Sequence, residues 1–179
     1  KFLKTPPAGL SSLKLPLTFE KVTTKGKMLI FYFQDSPMKM FAGLGMSGQF
    51  LFEKSKHSHL QFDLEMPAPF PSIMYFTDMR RFGNVSFSES DLSARLAPGI
   101  LNGITEKEFL ERVKKVRTSK DILSVLMDQE KICSGIGNYL VAESLYKARI
   151  SPFRKFTEVT EEEFKKILHY AIETATLAY

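Results

Sequence analysis

The 179-residue sequence predicts an α+β protein with an antiparallel β-sandwich at the front and a helical domain behind it. Three observations carry that expectation. Positions 25–87 consist of short alternating or apolar runs separated by turn residues, the hydrophobic period lengthens from two to between three and four after Gly103, and helix-capping pairs recur along the second half. The expected division is a sandwich domain over 1–90, a polar linker containing glycine and proline over 91–103, and a helical domain over 104–179.

Leu60, Phe62 and Leu64 alternate with Gln61 and Asp63, the pattern of a half-buried strand. Residues 28–33 are apolar throughout and are expected to be covered on both faces, whereas 66–71, with three prolines, reads as a connection. Thr105 with Glu108 forms a capping box that opens a helix reaching about Thr118. A second helix is expected over 119–129 with Ile122, Leu123, Leu126 and Met127 inward, and a third from Asn138 to Ala148. Thr160 with Glu163 opens the last helix, which carries Phe164, Ile167, Leu168, Ala171 and Ile172 on one face. No internal repeat or low-complexity tract is present.

The 44% apolar content supports one or two modest cores and excludes a disordered or collagen-like chain. The longest apolar stretches, 28–33 and 38–46, fall well short of the roughly 20 residues that a membrane span requires, so no membrane partner is expected. The first nine residues lack the apolar run of a signal peptide, and a chain opening on Lys1 and Phe2 reads as a piece of a longer, intracellular protein. Cys133 is alone, which rules out an intramolecular disulfide and a multi-cysteine zinc cluster; beside Ile132 it reads as a small buried hydrophobe. Lys and Arg outnumber Asp and Glu by 25 to 20, and this excess favours polyanionic partners.

Four constellations could carry chemistry. Gly43-Leu-Gly-Met-Ser-Gly48 spells G-x-G-x-x-G, but strand-like residues follow where a dinucleotide site needs a helix. It reads instead as a glycine-rich hairpin, either a plain turn or one that presses against a large ligand while Met46 projects from it. Ser134-Gly-Ile-Gly-Asn138 precedes a helix, so it is either a glycine turn capped by Asn138 or an anion site. Lys114, Lys115, Arg117, Lys120 and Lys131 lie in the same helical region and suit such a site to a phosphodiester. In 77–83, Phe82 is either core, with Arg80 and Arg81 solvated or paired to Asp78, or an apolar wedge beside a cation, which is what unstacking a duplex requires. His57 and His59 are expected on one face of a strand; with no third ligand in view a metal site is not expected, leaving exposed histidines or a phosphate contact by His57.

Five ordered blocks between residues 25 and 154 carry a resemblance. They are Lys25-Gly-Lys27, the glycine hairpin 43–48, Lys56-His-Ser-His59, Tyr75-Phe-Thr-Asp-Met-Arg-Arg-Phe-Gly83, and Leu126-Met-Asp-Gln with Ser134-Gly-Ile-Gly-Asn-Tyr-Leu-Val-Ala-Glu143. In these blocks the chain resembles the formamidopyrimidine-DNA glycosylase and endonuclease VIII (Fpg/Nei) family of base excision repair enzymes. The last block looks like the family's helix-two-turns-helix motif, with Glu143 in support of it, and its Gly-Asn-Tyr-Leu wording leans towards the endonuclease VIII branch.

Carried over by position, the resemblance implies that Lys27 and His57 hold backbone phosphates near the lesion and that Asn138, with the amides before it, holds phosphates from the helical side. It also implies that Met46, Arg80 and Phe82 fill the hole left by an extruded base. The activity so implied is that of a monomeric, bifunctional DNA glycosylase and AP lyase, acting on double-stranded DNA containing damaged bases held in a basic cleft between the domains. Members of the family attack C1′ with the secondary amine of an N-terminal proline, assisted by the following glutamate, and the resulting Schiff base permits strand cleavage by elimination. The chain begins Lys1-Phe2-Leu3, so no catalytic residue is expected within it, the Pro-Glu pair is expected ahead of Lys1, and the chain alone is expected to be inactive. No metal or cofactor is expected in these residues, since the family's zinc or zincless finger would follow Tyr179. Leu123 stands where some purine-specific members place a lysine, which shifts the expected lesion from 8-oxoguanine towards oxidised pyrimidines. Two other readings remain: a non-catalytic binder of damaged or branched DNA, and a structured-RNA module using the same helical motif.

Overall fold

The computed structural model describes residues 6–178, which separate into two compact units. The first contains the chain up to Thr24 and Met28–Leu92; the second contains Lys25–Lys27 and everything from Ser93 onward.

In the first unit the strands are β1 (Phe19–Lys25), β2 (Met28–Phe33), β3 (Lys39–Gly43), β4 (Gly48–Leu51), β5 (Ser58–Asp63), β6 (Ile73–Asp78) and β7 (Asn84–Ser88). They form one sheet in the order β1-β2-β3-β7 and another in the order β4-β6-β5. β3 runs antiparallel to both β2 and β7, with Phe41 opposite Ile30 on one side and Ser86 on the other. The apolar faces of the two sheets meet around Met40, Ala42, Phe76, Val85 and Phe87. Phe50 of β4 centres an aromatic cluster, 5.4 Å from Phe31 and 5.3 Å from Phe76 between ring centroids, at tilted angles that suit ring quadrupoles.

β5 alternates as its sequence requires, with Leu60 and Phe62 partly buried and Gln61 and Asp63 exposed. β2 departs from expectation: only Ile30 is fully buried and the other five residues are half-buried. The physical reason is its neighbour, because β1 is an edge strand exposed at every position but its last and gives β2 little cover.

The second unit is built from α1 (Glu106–Lys115), α2 (Ile122–Leu126), α3 (Asn138–Ala148) and α4 (Glu161–Leu177). The core contains Phe109, Ile122, Val125, Ile136, Val141, Leu145 and Ile167, all at most 2% exposed. Side-chain caps start three of the helices: Thr105 accepts from the Glu108 amide, Asp121 from the Ser124 amide, and Thr160 and Glu163 exchange bonds as a complete capping box. Arg154 donates to the same Glu163 carboxylate at 2.6 Å and, as the main cause, holds its pKa down at about 2.

Several expected boundaries move. α1 ends at Lys115 because Val116 is already extended, and α2 is confined to five residues by its Asp121 cap and an early end at Leu126, leaving Leu123 and Met127 half-buried. On α4 the buried stripe runs Phe164, Ile167, Leu168, Ala171, Thr174, Ala175; the helical step carries Ile172 away from it, to 36% exposure.

Residues 93–103 do not form a free linker. Ile100 and Ile104 belong to the helical core, the Ile100 amide donates to Ser134 O at 2.9 Å, and the Ser134 hydroxyl donates to Ala97 O at 2.7 Å. The apolar residues responsible are interrupted by Pro98, Gly99 and Gly103, which breaks any regular period and makes the stretch read as a connection.

Candidate nucleic-acid interface

In the sheet unit, the turn between β3 and β4 closes with the Gly48 amide donating to Leu44 O at 2.7 Å. Gly45 sits at φ +60°, and a Cβ there would lie 2.8 Å from the Gly83 nitrogen and the Phe82 carbonyl carbon, so this position admits no side chain. The turn is therefore pressed onto the loop after β6. From this junction Met46 and Phe82 project at 68% and 66% exposure, and Arg80 Nη1 lies 3.3 Å from Met46 Sδ. Two segments more than thirty residues apart thus bring a thioether, a guanidinium and a phenyl ring to one surface. Phe82 is not core, and Arg80 and Arg81 are both exposed.

Asp78 does not pair with either arginine's side chain. Its carboxylate, 1% exposed, accepts from the Ser47 hydroxyl, from the Arg80 amide at 3.2 Å and from the Gly83 amide at 2.7 Å. Burial pushes its pKa up, but the bonds from Ser47 and from the Gly83, Arg80 and Arg81 amides outweigh it and hold the group below the usual aspartate value.

The two histidines do not share an exposed strand face. His57 precedes β5 in a turn, half-exposed, with its carbonyl accepting from the Asp78 amide at 3.0 Å. His59 is 4% exposed, with Nε2 2.7 Å from the Asp78 carbonyl oxygen. Strand alternation does not apply across the start of a strand, which is why the expected pairing fails.

In the helical unit, Lys27 reaches the start of α3. Its ammonium donates to Ile136 O at 2.9 Å, and desolvation there lowers its pKa although much of the residue is exposed. Gly137 packs against that ammonium, since a Cβ would lie 2.8 Å from Nζ. Gln129 organises the preceding loop by donating to Ile136 O at 2.8 Å and accepting from the Gly135 amide at 2.8 Å.

Asn138 does not take the capping position expected of it: the N-cap of α3 is Gly137, and Asn138 is the first helical residue, exposed and making no capping bond. Its side chain and the opening amides of the helix therefore lie at the same end as Lys27. The surrounding basic set is partly consumed locally: Lys114 pairs with Glu161, and Lys131 with Asp128. Sequence reasoning missed Asp78, Ser47, His59 and Gln129 as organisers, although each lies inside or beside one of the matching blocks.

Among the described residues no group of three or more His, Cys, Asp or Glu is placed to hold a metal ion. No helix among them is long and apolar enough to cross a membrane. Residues 3–85 match the model of the formamidopyrimidine-DNA glycosylase N-terminal domain, and residues 96–178 match that of the formamidopyrimidine-DNA glycosylase H2TH domain. The chain belongs to the Fpg/Nei family of DNA glycosylases. In this Fpg/Nei chain, α2, the turns at 127–137 and α3 constitute the helix-two-turns-helix motif.

Formamidopyrimidine-DNA glycosylase of Thermus thermophilus is 31% identical over 154 residues, covering 82% of the chain and 54% of the relative. Human endonuclease 8-like 1 is 35% identical over 138 residues, covering 72% and 34%. The crystal structure of MutM (Fpg) from Thermus thermophilus aligns with a TM-score of 0.78 at 28% identity, over 90% of this chain and 60% of that one. The Lactococcus lactis Fpg complex with DNA containing Fapy-dG aligns at 0.76 and 25% identity, over 90% and 62%. The chain thus spans about half the length of the first of these relatives and about a third of the second.

Proposed function

We propose that the protein removes oxidised bases from double-stranded DNA as a glycosylase with AP lyase activity. The observation that carries this reading is the convergence of Met46, Arg80 and Phe82 on one exposed surface. A methionine and a phenylalanine held out in water beside a cation contribute little to stability, but they suit the vacancy in a base stack. Extruding a base costs a few kcal/mol, and side chains that restack the neighbours and pair with the widowed base offset part of it. Lys27, His57 and Asn138, with the opening amides of α3, are the groups we assign to backbone phosphates. The Lactococcus lactis relative bound to DNA containing Fapy-dG supports a damaged duplex as the partner.

The nucleophile we assign is the family's N-terminal proline amine in the protein at its full natural length, and no side chain of residues 1–179. Cys133 is a poor candidate: burial raises its thiol pKa to about 12, so the reactive thiolate is absent at neutral pH. Leu123 and the Gly-Asn-Tyr-Leu sequence at 137–140 favour an oxidised pyrimidine over 8-oxoguanine.

Borohydride reduction during incubation with lesion-containing duplex tests the assignment. An amine-dependent lyase becomes covalently trapped on the DNA. Lesion binding without trapping would leave a non-catalytic binder, and preference for structured RNA over damaged duplex would favour the RNA module.

A further inference from the structure

The sheet unit contains an anionic group that the proposed chemistry does not use. Asp78 terminates β6 at 1% exposure, and among the described residues no Lys, Arg or His side chain forms an ion pair with it. A buried carboxylate without a cation is costly unless its oxygens are saturated by donors, and removing it would leave those donors unpaired. The donors to Asp78 meet that condition and, by holding its pKa down, stabilise the fold at neutral pH; the segments they join give the group a further role.

The donors point to that role, because they come from two separate segments. Ser47, next to Met46, donates its hydroxyl to Asp78 Oδ1 and accepts from the Arg80 amide at 3.0 Å. The amides of Arg80 and Gly83, on either side of Phe82, donate to Oδ1 and Oδ2 respectively. The loop closes around the carboxylate with Arg81 at φ +59°, a left-handed conformation disfavoured for arginine and sustained here by the bonds it makes possible. Gly45, at φ +60°, allows the hairpin to lie directly against Phe82.

We propose that Asp78 is a positioning residue for base extrusion, locking the Met46 turn to the Arg80 and Phe82 loop so that the three side chains reach a duplex as one preformed wedge. The inference rests on the glycosylase reading. Without the lock the turn and the loop remain attached to their strands but sample independent positions, and their ordering is charged to the extrusion step. Phosphate contacts made elsewhere are untouched, so the deficit falls on kcat rather than on duplex affinity.

Two substitutions in the protein at its full natural length test this. Ser47→Ala removes the turn's hydroxyl, and with it both the bond to the carboxylate and the one accepted from the Arg80 amide. Asp78→Asn replaces an acceptor by an amide donor, which must face either the Gly83 N–H or the Arg80 N–H; the Ser47 hydroxyl can turn to accept from it, but one backbone amide bond is lost whichever way the amide turns. The measurements are kcat and KM for base removal, the melting temperature, and the fluorescence of 2-aminopurine placed opposite the lesion, which reports unstacking of the widowed base.

Expected for both variants is a fall in kcat of about tenfold with KM changed less than about threefold. The fluorescence rise is expected to slow by the same factor as kcat, and Ser47→Ala to melt near the wild type. If Asp78→Asn does not fold, Ser47→Ala decides alone. Wild-type kcat and fluorescence in a folded variant would overturn the inference, as would a loss confined to KM. A wild type that removes no base would overturn the glycosylase reading itself, and this inference with it.

Discussion

Phe82→Ala is expected to slow base removal roughly thirtyfold while leaving affinity for undamaged duplex near the wild-type value. Aromatic stacking on a base is worth ~2 kcal/mol by alanine substitution, and each ~1.4 kcal/mol is a factor of ten in rate. The phenyl ring is exposed, so the free protein loses little by its removal; the cost appears when the stack has been opened. Met46→Ala acts in the same direction with a smaller effect, because a thioether fills space without a stacking face. Asn138→Ala, at the first residue of α3 and in the phosphate role proposed for it, is expected to weaken binding to damaged and undamaged duplex alike. Single-turnover excision and fluorescence anisotropy separate the two classes. Equal losses from all three substitutions in both measurements would contradict the division of labour.

Phe109→Ala carries the largest expected effect on stability, about 3–5 kcal/mol, which is a large part of the ~5–15 kcal/mol available to a typical domain. Phe109 has no exposed surface, and its ring lies 6.5 Å from that of Phe164 on α4, in the same core as Ile167 and Leu168. α1 depends on this contact, since its first and last turns are mostly charged and only Phe109 and Leu110 of its ten residues are buried. Urea unfolding followed by circular dichroism checks it, and a loss below about 1 kcal/mol would mean that the core closes over the gap.

Where structure follows from neighbours in the chain, the sequence is readable. Thr105, Thr160 and Glu163 mark helix starts because capping is a contact over three residues, and α3 begins after the glycines and ends at Ala148 as expected. Leu60 and Phe62 fall on the expected face for the same reason. Reading fails where a partner is remote. His59 is buried because Asp78, nineteen residues on, supplies its hydrogen-bond partner. Asn138 yields the capping position to Gly137, whose missing side chain leaves room for the ammonium of Lys27.

The candidate site divides in the same way. The resemblance supplies Met46, Arg80 and Phe82 as a set, but local spacing leaves Phe82 open between core and surface. Asp78 beside two arginines leaves open whether they are solvated or paired with it, and only the fold shows its carboxylate turned inward to the amides of its own loop and to Ser47. Gln129 is equally silent in sequence, because its partners at Gly135 and Ile136 are reached through a loop rather than a helix.

Met46, Arg80 and Phe82 are proposed to enter a duplex together. A crystal structure of the protein at its full natural length on a duplex carrying a stable abasic-site analogue tests it most directly. Met46, Arg80 and Phe82 are expected inside the vacated position, each within about 4 Å of the flanking or opposite bases. A duplex stacked continuously through the lesion, with those side chains left in solvent, would contradict it.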